Sequence, residues 1–127
     1  MSVRFDPDHN LIVVQAKFWG PRGSAVLRLA LDTGATSTLI NAAPLVTLGY
    51  DPSLVEDRLQ VTTGSSVEFV SRIELERICA LQQERIGFSV LCHTLPPSTG
   101  VDGLLGLNFF RGQYLTIDFR DGLIGLS

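Results

Sequence analysis

The segment Leu29-Ala-Leu-Asp-Thr-Gly-Ala-Thr36 sets an ionisable side chain at the end of an apolar run. Taking a carboxylate out of water is costly unless a partner or a use compensates it, so Asp32 is the first candidate for acid–base chemistry. Thr33 places a hydroxyl beside it, and Gly34 permits a tight turn with close backbone approach. Asp and Gly are also common turn residues, so Asp32-Thr33-Gly34 taken alone usually marks nothing more than a strand-ending turn. A second unusual stretch is Gly100-Val-Asp-Gly-Leu-Leu-Gly106, followed by Leu107-Asn-Phe-Phe110. Taken alone it reads as a buried strand running into a short helix, with Gly106 needed for close packing.

Other chemistries find no support. Cys79, Cys92, His93 and His9 match none of the usual metal-ligand spacings, and no metal or other cofactor is expected. Gly64-Ser-Ser-Val-Glu68 is not the Gly-x-Ser-x-Gly of a serine hydrolase. Gly103-Leu-Leu-Gly-Leu-Asn108 lacks the Lys and Ser or Thr of a phosphate-binding loop. Ten Lys and Arg against 13 Asp and Glu give a net charge of −3, and the basic residues are scattered, so nucleic acid is not an expected partner. No apolar run approaches the roughly 18 residues that cross a bilayer, and Met1 to His9 has no apolar signal-peptide core. Two cysteines are too few for a disulfide framework and read as buried, reduced thiols. The expectation is a cytoplasmic protein that does not engage a membrane.

The elements that must position Asp32 are mostly strands. At 127 residues the chain is expected to be one domain over 1–127, with 1–10 a disordered or interface arm. Short β-branched and aromatic runs broken by Gly, Pro, Asn and Asp indicate an all-β domain. Leu11 to Trp19 and Ser24 to Leu31 form a hairpin around Gly20-Pro-Arg-Gly23. Thr38 to Ile40 follows the Asp32 loop, and Asn41 is placed to cap a short helix over 42–48 that ends at Gly49. Arg58 to Thr63 and Val67 to Ile73 make a second hairpin with a polar tip at Gly64-Ser-Ser66. Ile73 to Ala80 and Glu84 to Leu91 are expected to turn at Gln82-Gln83. A Pro-containing loop covers His93 to Gly100, a helical turn Asn108 to Arg111, and a closing hairpin Tyr114 to Leu126.

Together the two motifs, in this order and across nearly the whole chain, resemble the retropepsin-like aspartic peptidases. In that family an Asp-Thr-Gly-Ala loop is followed by a flap hairpin, then by a hydrophobic-hydrophobic-Gly segment and a short helix. The resemblance implies the single-domain retropepsin-like acid protease fold, with closed, barrel-like β-sheets, a flap hairpin and one or two short helices. Retroviral members follow the motif with acidic residues, one of which pairs with an Arg just after the hydrophobic-hydrophobic-Gly segment. Here Thr36 and Ser37 follow Ala35 and Leu107 stands at the Arg position, so both halves of that ion pair are missing together. Gly106-Leu-Asn-Phe-Phe110 and Tyr114-Leu-Thr-Ile-Asp-Phe119 are more similar to the cellular DNA-damage-inducible (Ddi-type) and bacterial branches.

The chemistry of that family needs two carboxylates close enough to share a proton, one activating a water and the other donating to the scissile carbonyl. The chain holds a single Asp-Thr-Gly and no Asp-Ser-Gly, so the second carboxylate must be Asp32 of another copy across a two-fold axis. The resemblance implies a homodimeric aspartic endopeptidase acting on a peptide or protein substrate. Asp32 is then catalytic, Thr33 links the two loops across the axis, and Gly34 and Ala35 line the cleft. Thr62, Thr63, Gly64, Ser65, Ser66 and Val67 form the flap, while Leu104 and Leu105 contribute apolar side pockets. A second reading is a dimeric peptide-binding module of the same fold with little or no catalysis. A third is a structural interaction domain of a larger assembly. The sequence favours the enzyme, because a binding groove has no need of a desolvated Asp at its axis.

Overall fold

A computed structural model describes residues 2–55, 57–63 and 66–127 of the chain. Alternation of apolar and polar side chains builds its strands. In β2 (Val13–Gly20), Val14, Ala16 and Phe18 are buried while Gln15 and Lys17 face solvent. In β3 (Gly23–Leu31), Leu27 and Leu29 point inward and Arg28 outward. The turn at Pro21-Arg22 joins them as a hairpin, with Gly20 opposite Gly23.

Six strands close on themselves in the order β2, β3, β8 (Gly103–Leu105), β4 (Leu39–Ile40), β7 (Gln83–Cys92), β6 (Ser66–Ala80) and back to β2. Closure leaves no free edge on this barrel. Phe18, Leu29, Ile40, Leu75, Ile78, Leu105 and Phe109 fill it and are fully buried. Strand β5 (Arg58–Thr63) pairs only with the first part of β6, so the β5–β6 hairpin extends beyond the barrel. A separate sheet runs β1 (Ser2–Arg4), β10 (Leu123–Leu126), β9 (Leu115–Asp118). Part of the segment expected to be an arm is thus a strand paired to the chain's own C-terminal hairpin.

Among the described residues two short α-helices complete the fold, α1 (Ala42–Thr47) and α2 (Leu107–Phe110). Helix α1 ends as its glycine predicts. Gly49 has φ +98°, its N–H donates to Val46 O, and Tyr50 N–H reaches back to Leu45 O. Its start differs from expectation, because Asn41 makes no capping bond. Asn41 Oδ1 instead accepts from Leu95 N–H at 2.9 Å, tying down the following loop, and Thr94 Oγ1 accepts the Ala42 N–H.

Two other local expectations are corrected. The runs Val67–Ile73 and Ile73–Ala80 are one continuous strand, because nothing in them breaks a strand and β5, β7 and β2 each pair with part of it. The β6–β7 turn sits at Leu81-Gln82, not Gln82-Gln83. Both residues have positive φ, 50° and 62°, the conformation a two-residue hairpin requires. Burial of Leu81 in the core holds that residue in a position usually given to Asn or Gly.

Candidate active site

Asp32 sits at the point where β3 ends. Its N–H donates to Leu105 O at 3.0 Å, continuing the parallel pairing of Leu31 with Leu105. Strand β8 lies between β3 and β4, parallel to the first and antiparallel to the second. The Asp32–Thr38 loop therefore straddles β8, held by a strand from far along the chain.

That insertion explains the spacing Gly103-Leu-Leu-Gly106. A Cβ on Gly103 would lie 2.1 Å from Leu39 O. One on Gly106 would lie 2.6 Å from Ser37 C and O and 2.8 Å from Ala35 O. Only glycine lets β8 approach the loop this closely. Beyond it, Leu107 N–H donates to Ala35 O at 2.8 Å.

Within the loop, Gly34 N–H donates to Asp32 Oδ1 at 2.9 Å and Ala35 N–H to Asp32 O at 3.2 Å. Gly34 thus fixes the carboxylate it follows. Asp32 is half-buried in the single chain, while Thr33 and Gly34 are exposed and Ala35 is half-buried. A cleft of about 540 Å³ opens over the carboxylate. Asp32, Gly34, Ala35, Thr36, Ser37 and Leu39 line one side, Leu59, Gln60 and Val61 of β5 another, and Leu91 of β7 closes it. Among the described residues lining it, Asp32 alone is charged.

The expected flap coincides with the β5–β6 hairpin, where Thr62 pairs with Val67 and Thr63 with Ser66. Gly64 and Ser65 lie outside the described residues. Val67 is exposed on the hairpin. The two leucines expected to form side pockets are placed otherwise. Leu105 is fully buried in the barrel core, and its carbonyl rather than its side chain serves Asp32. Leu104 is half-buried on the opposite face of β8 and is not among the residues lining this cleft. Alternation along a strand permits only one of two neighbours to face a given side. The apolar wall is instead Leu39, Leu59, Val61 and Leu91.

Sequence reasoning also passed over a polar clamp behind the loop. Thr38 is fully buried. Its N–H and hydroxyl both donate to Asn108 Oδ1, at 2.9 and 2.8 Å, and its Oγ1 accepts from Gly106 N–H at 3.1 Å. Asn108 Nδ2 donates to Ser89 O at 2.9 Å. The clamp ties the loop to the hydrophobic-hydrophobic-Gly segment beside Leu107, where retroviral relatives use an ion pair. A lone Asn in Gly-Leu-Asn-Phe-Phe was its one sequence signal.

The profile of the gag-polyprotein putative aspartyl protease family matches residues 23–112, which span the Asp32 loop, the β5–β6 hairpin, β8 and α2. Among solved structures, a retropepsin-like aspartic protease from Rickettsia conorii superposes with a TM-score of 0.73 over 100% of this chain and 89% of the other, at 16% identity. That likeness is one of fold. No curated protein matches the chain. With the family profile covering more than half of the chain, and the Asp loop, closed barrel and projecting hairpin all in place, the chain belongs to the gag-polyprotein putative aspartyl protease family, with a retropepsin-like fold.

Proposed function

We propose that this protein is an aspartic endopeptidase acting as a homodimer, with the Asp32 carboxylates of two subunits forming its catalytic pair. The observation that carries the reading is the position of Asp32, one oxygen fixed by Gly34 N–H, in a cleft bounded by the β5–β6 hairpin whose other described lining residues are uncharged. Carboxylates brought together across a two-fold axis share a proton, because like charges that close repel. The ionised member takes a proton from a water as its oxygen attacks the scissile carbonyl carbon. The protonated member donates to the carbonyl oxygen, and collapse of the tetrahedral intermediate passes a proton to the leaving amine.

An extended peptide would lie beneath the hairpin, adding strand-like hydrogen bonds, with the apolar wall of Leu39, Leu59, Val61 and Leu91 receiving its side chains. Exposure of Thr33 leaves it available to meet the partner loop. The absence of charge at Thr36, Ser37 and Leu107 supports placing the chain in the Ddi-type and bacterial branch.

Cleavage of an unbiased peptide library from acidic to neutral pH, with Asp32→Asn alongside, tests the mechanism. Cuts made by wild type alone are expected. Cutting retained by a folded Asp32→Asn protein would sink it. A dimer that binds peptides and cuts none of them at any pH would leave the fold as a peptide-binding module.

A further inference from the structure

Two depressions meet at the Asp32 loop. The cleft over Asp32 shares Ser37 and Leu91 with a smaller one of about 250 Å³, lined by Ser37, Arg72, Ser89, Val90, Leu91 and Asn108. Among the described residues lining both, Asp32 and Arg72 alone are charged. Arg72 stands on β6 directly opposite Leu91 of β7, so the two side chains share a face of the sheet.

The guanidinium is loosely held. The Arg72 side chain is 39% exposed, and its contact with a described carboxylate is a 3.5 Å approach to Asp57 Oδ2, whose side chain is 57% exposed. Such an exposed, long pair contributes little. Glu74, two residues along β6, places its carboxylate over Gly87 of β7, where a Cβ would meet Oε1 at 2.8 Å. Asn108 is already committed to Thr38 and Ser89. Among the described residues, most of the guanidinium's five N–H donors therefore have no partner, and they keep the fork geometry that grips a carboxylate with two parallel bonds.

We infer that Arg72 is a specificity-determining residue, selecting peptides that carry an Asp or Glu side chain reaching this second depression from a strand bound over Asp32. The inference rests on the peptidase reading above. An apolar wall beside the reacting carboxylate and one cation in the adjoining hollow accept a peptide with aliphatic residues near the scissile bond and an acidic residue further along. A Lys side chain there meets like charge.

Decapeptides with a common aliphatic core, carrying Glu, Gln or Lys in turn at each flanking position, are cleaved by wild type, Arg72→Gln, Arg72→Lys and Arg72→Glu. Unfolding midpoints establish that all four fold. At one flanking position, wild type is expected to prefer Glu over Gln by about tenfold in kcat/KM. Arg72→Gln levels that preference, Arg72→Lys keeps part of it, and Arg72→Glu turns it toward Lys. No Glu preference in wild type, or one that persists in Arg72→Glu, overturns the inference. If none of the peptides is cut, fluorescence anisotropy of the same set against wild type and the Arg72 variants decides. Tighter binding of a Glu peptide that is lost in Arg72→Glu keeps the subsite while the catalytic reading fails. Equal binding of Glu and Gln peptides, or no binding, overturns the subsite.

Discussion

Thr38 and Asn108 show how much of the Asp32 loop depends on residues that do no chemistry. Thr38→Val keeps the buried shape but leaves the Gly106 N–H without its acceptor. An unsatisfied buried donor costs about 1–3 kcal/mol, so urea unfolding should report a loss of that size. Asn108→Ala strips the acceptor from two Thr38 donors and should cost at least as much, and the double variant should cost less than the sum, because the two share one network. Tyr50 is the other polar anchor: its hydroxyl donates to Trp19 O at 2.6 Å and accepts from Glu76 N–H at 2.9 Å. Burial raises its pKa above the ordinary phenol value, with the Glu76 backbone hydrogen bond opposing. The folded chain therefore holds this proton to higher pH than the unfolded chain. Its contribution to stability is complete below about pH 10 and falls as pH rises past that value. Burial raises the Cys92 thiol in the same direction, adding to the alkaline decline from a lower pH. Tyr50→Phe should lose about 1 kcal/mol at neutral pH and show a shallower alkaline decline, as read from unfolding free energy against pH.

At the scale of elements, the strand inserted between β3 and β4 is the feature on which the site depends. Gly106→Ala would drive a methyl into the Ser37 carbonyl group, which is backbone and has little room to give. Destabilisation above about 3 kcal/mol is expected, with loss of cleavage in whatever protein still folds. A stabilising change is available at the β6–β7 turn. Gln82 is exposed and left-handed, a backbone position where glycine relieves roughly 1 kcal/mol of steric cost. Gln82→Gly should raise the unfolding free energy by up to about 0.5 kcal/mol once glycine's entropic penalty is set against that relief. Leu81, equally left-handed, offers no such gain because its side chain is part of the core.

At the scale of the whole molecule, a chain with one Asp-Thr-Gly requires a second copy for the proposed chemistry. Cleavage per chain should fall on dilution in step with dimer dissociation measured by sedimentation. Mixing wild type with an equal amount of Asp32→Asn should, with random pairing, lower the rate to about half that of wild type alone. A rate unchanged by mixing, with exchange of subunits demonstrated, would contradict a shared site.

The sequence by itself determined the Asp32 loop, the hairpins around it, the closing strands and the order in which they come. These follow from local rules: alternation along a strand, glycine where φ is positive or space is absent, and a motif whose members lie within a few residues of each other. Only the tertiary structure decided which side chains surround Asp32. Leu104 and Leu105 read alike as letters, yet the pleat buries Leu105 in the barrel and leaves neither in the cleft. Leu59 and Val61 enter because β5 leaves the barrel beside the loop. Thr38 and Asn108, 70 positions apart, meet because β8 slots between strands laid down long before it. Asn41, the natural cap of α1 by position, is drawn away by Leu95 and Val101. Contacts of that kind depend on which strands become neighbours when the barrel closes, and no local pattern in the chain encodes that.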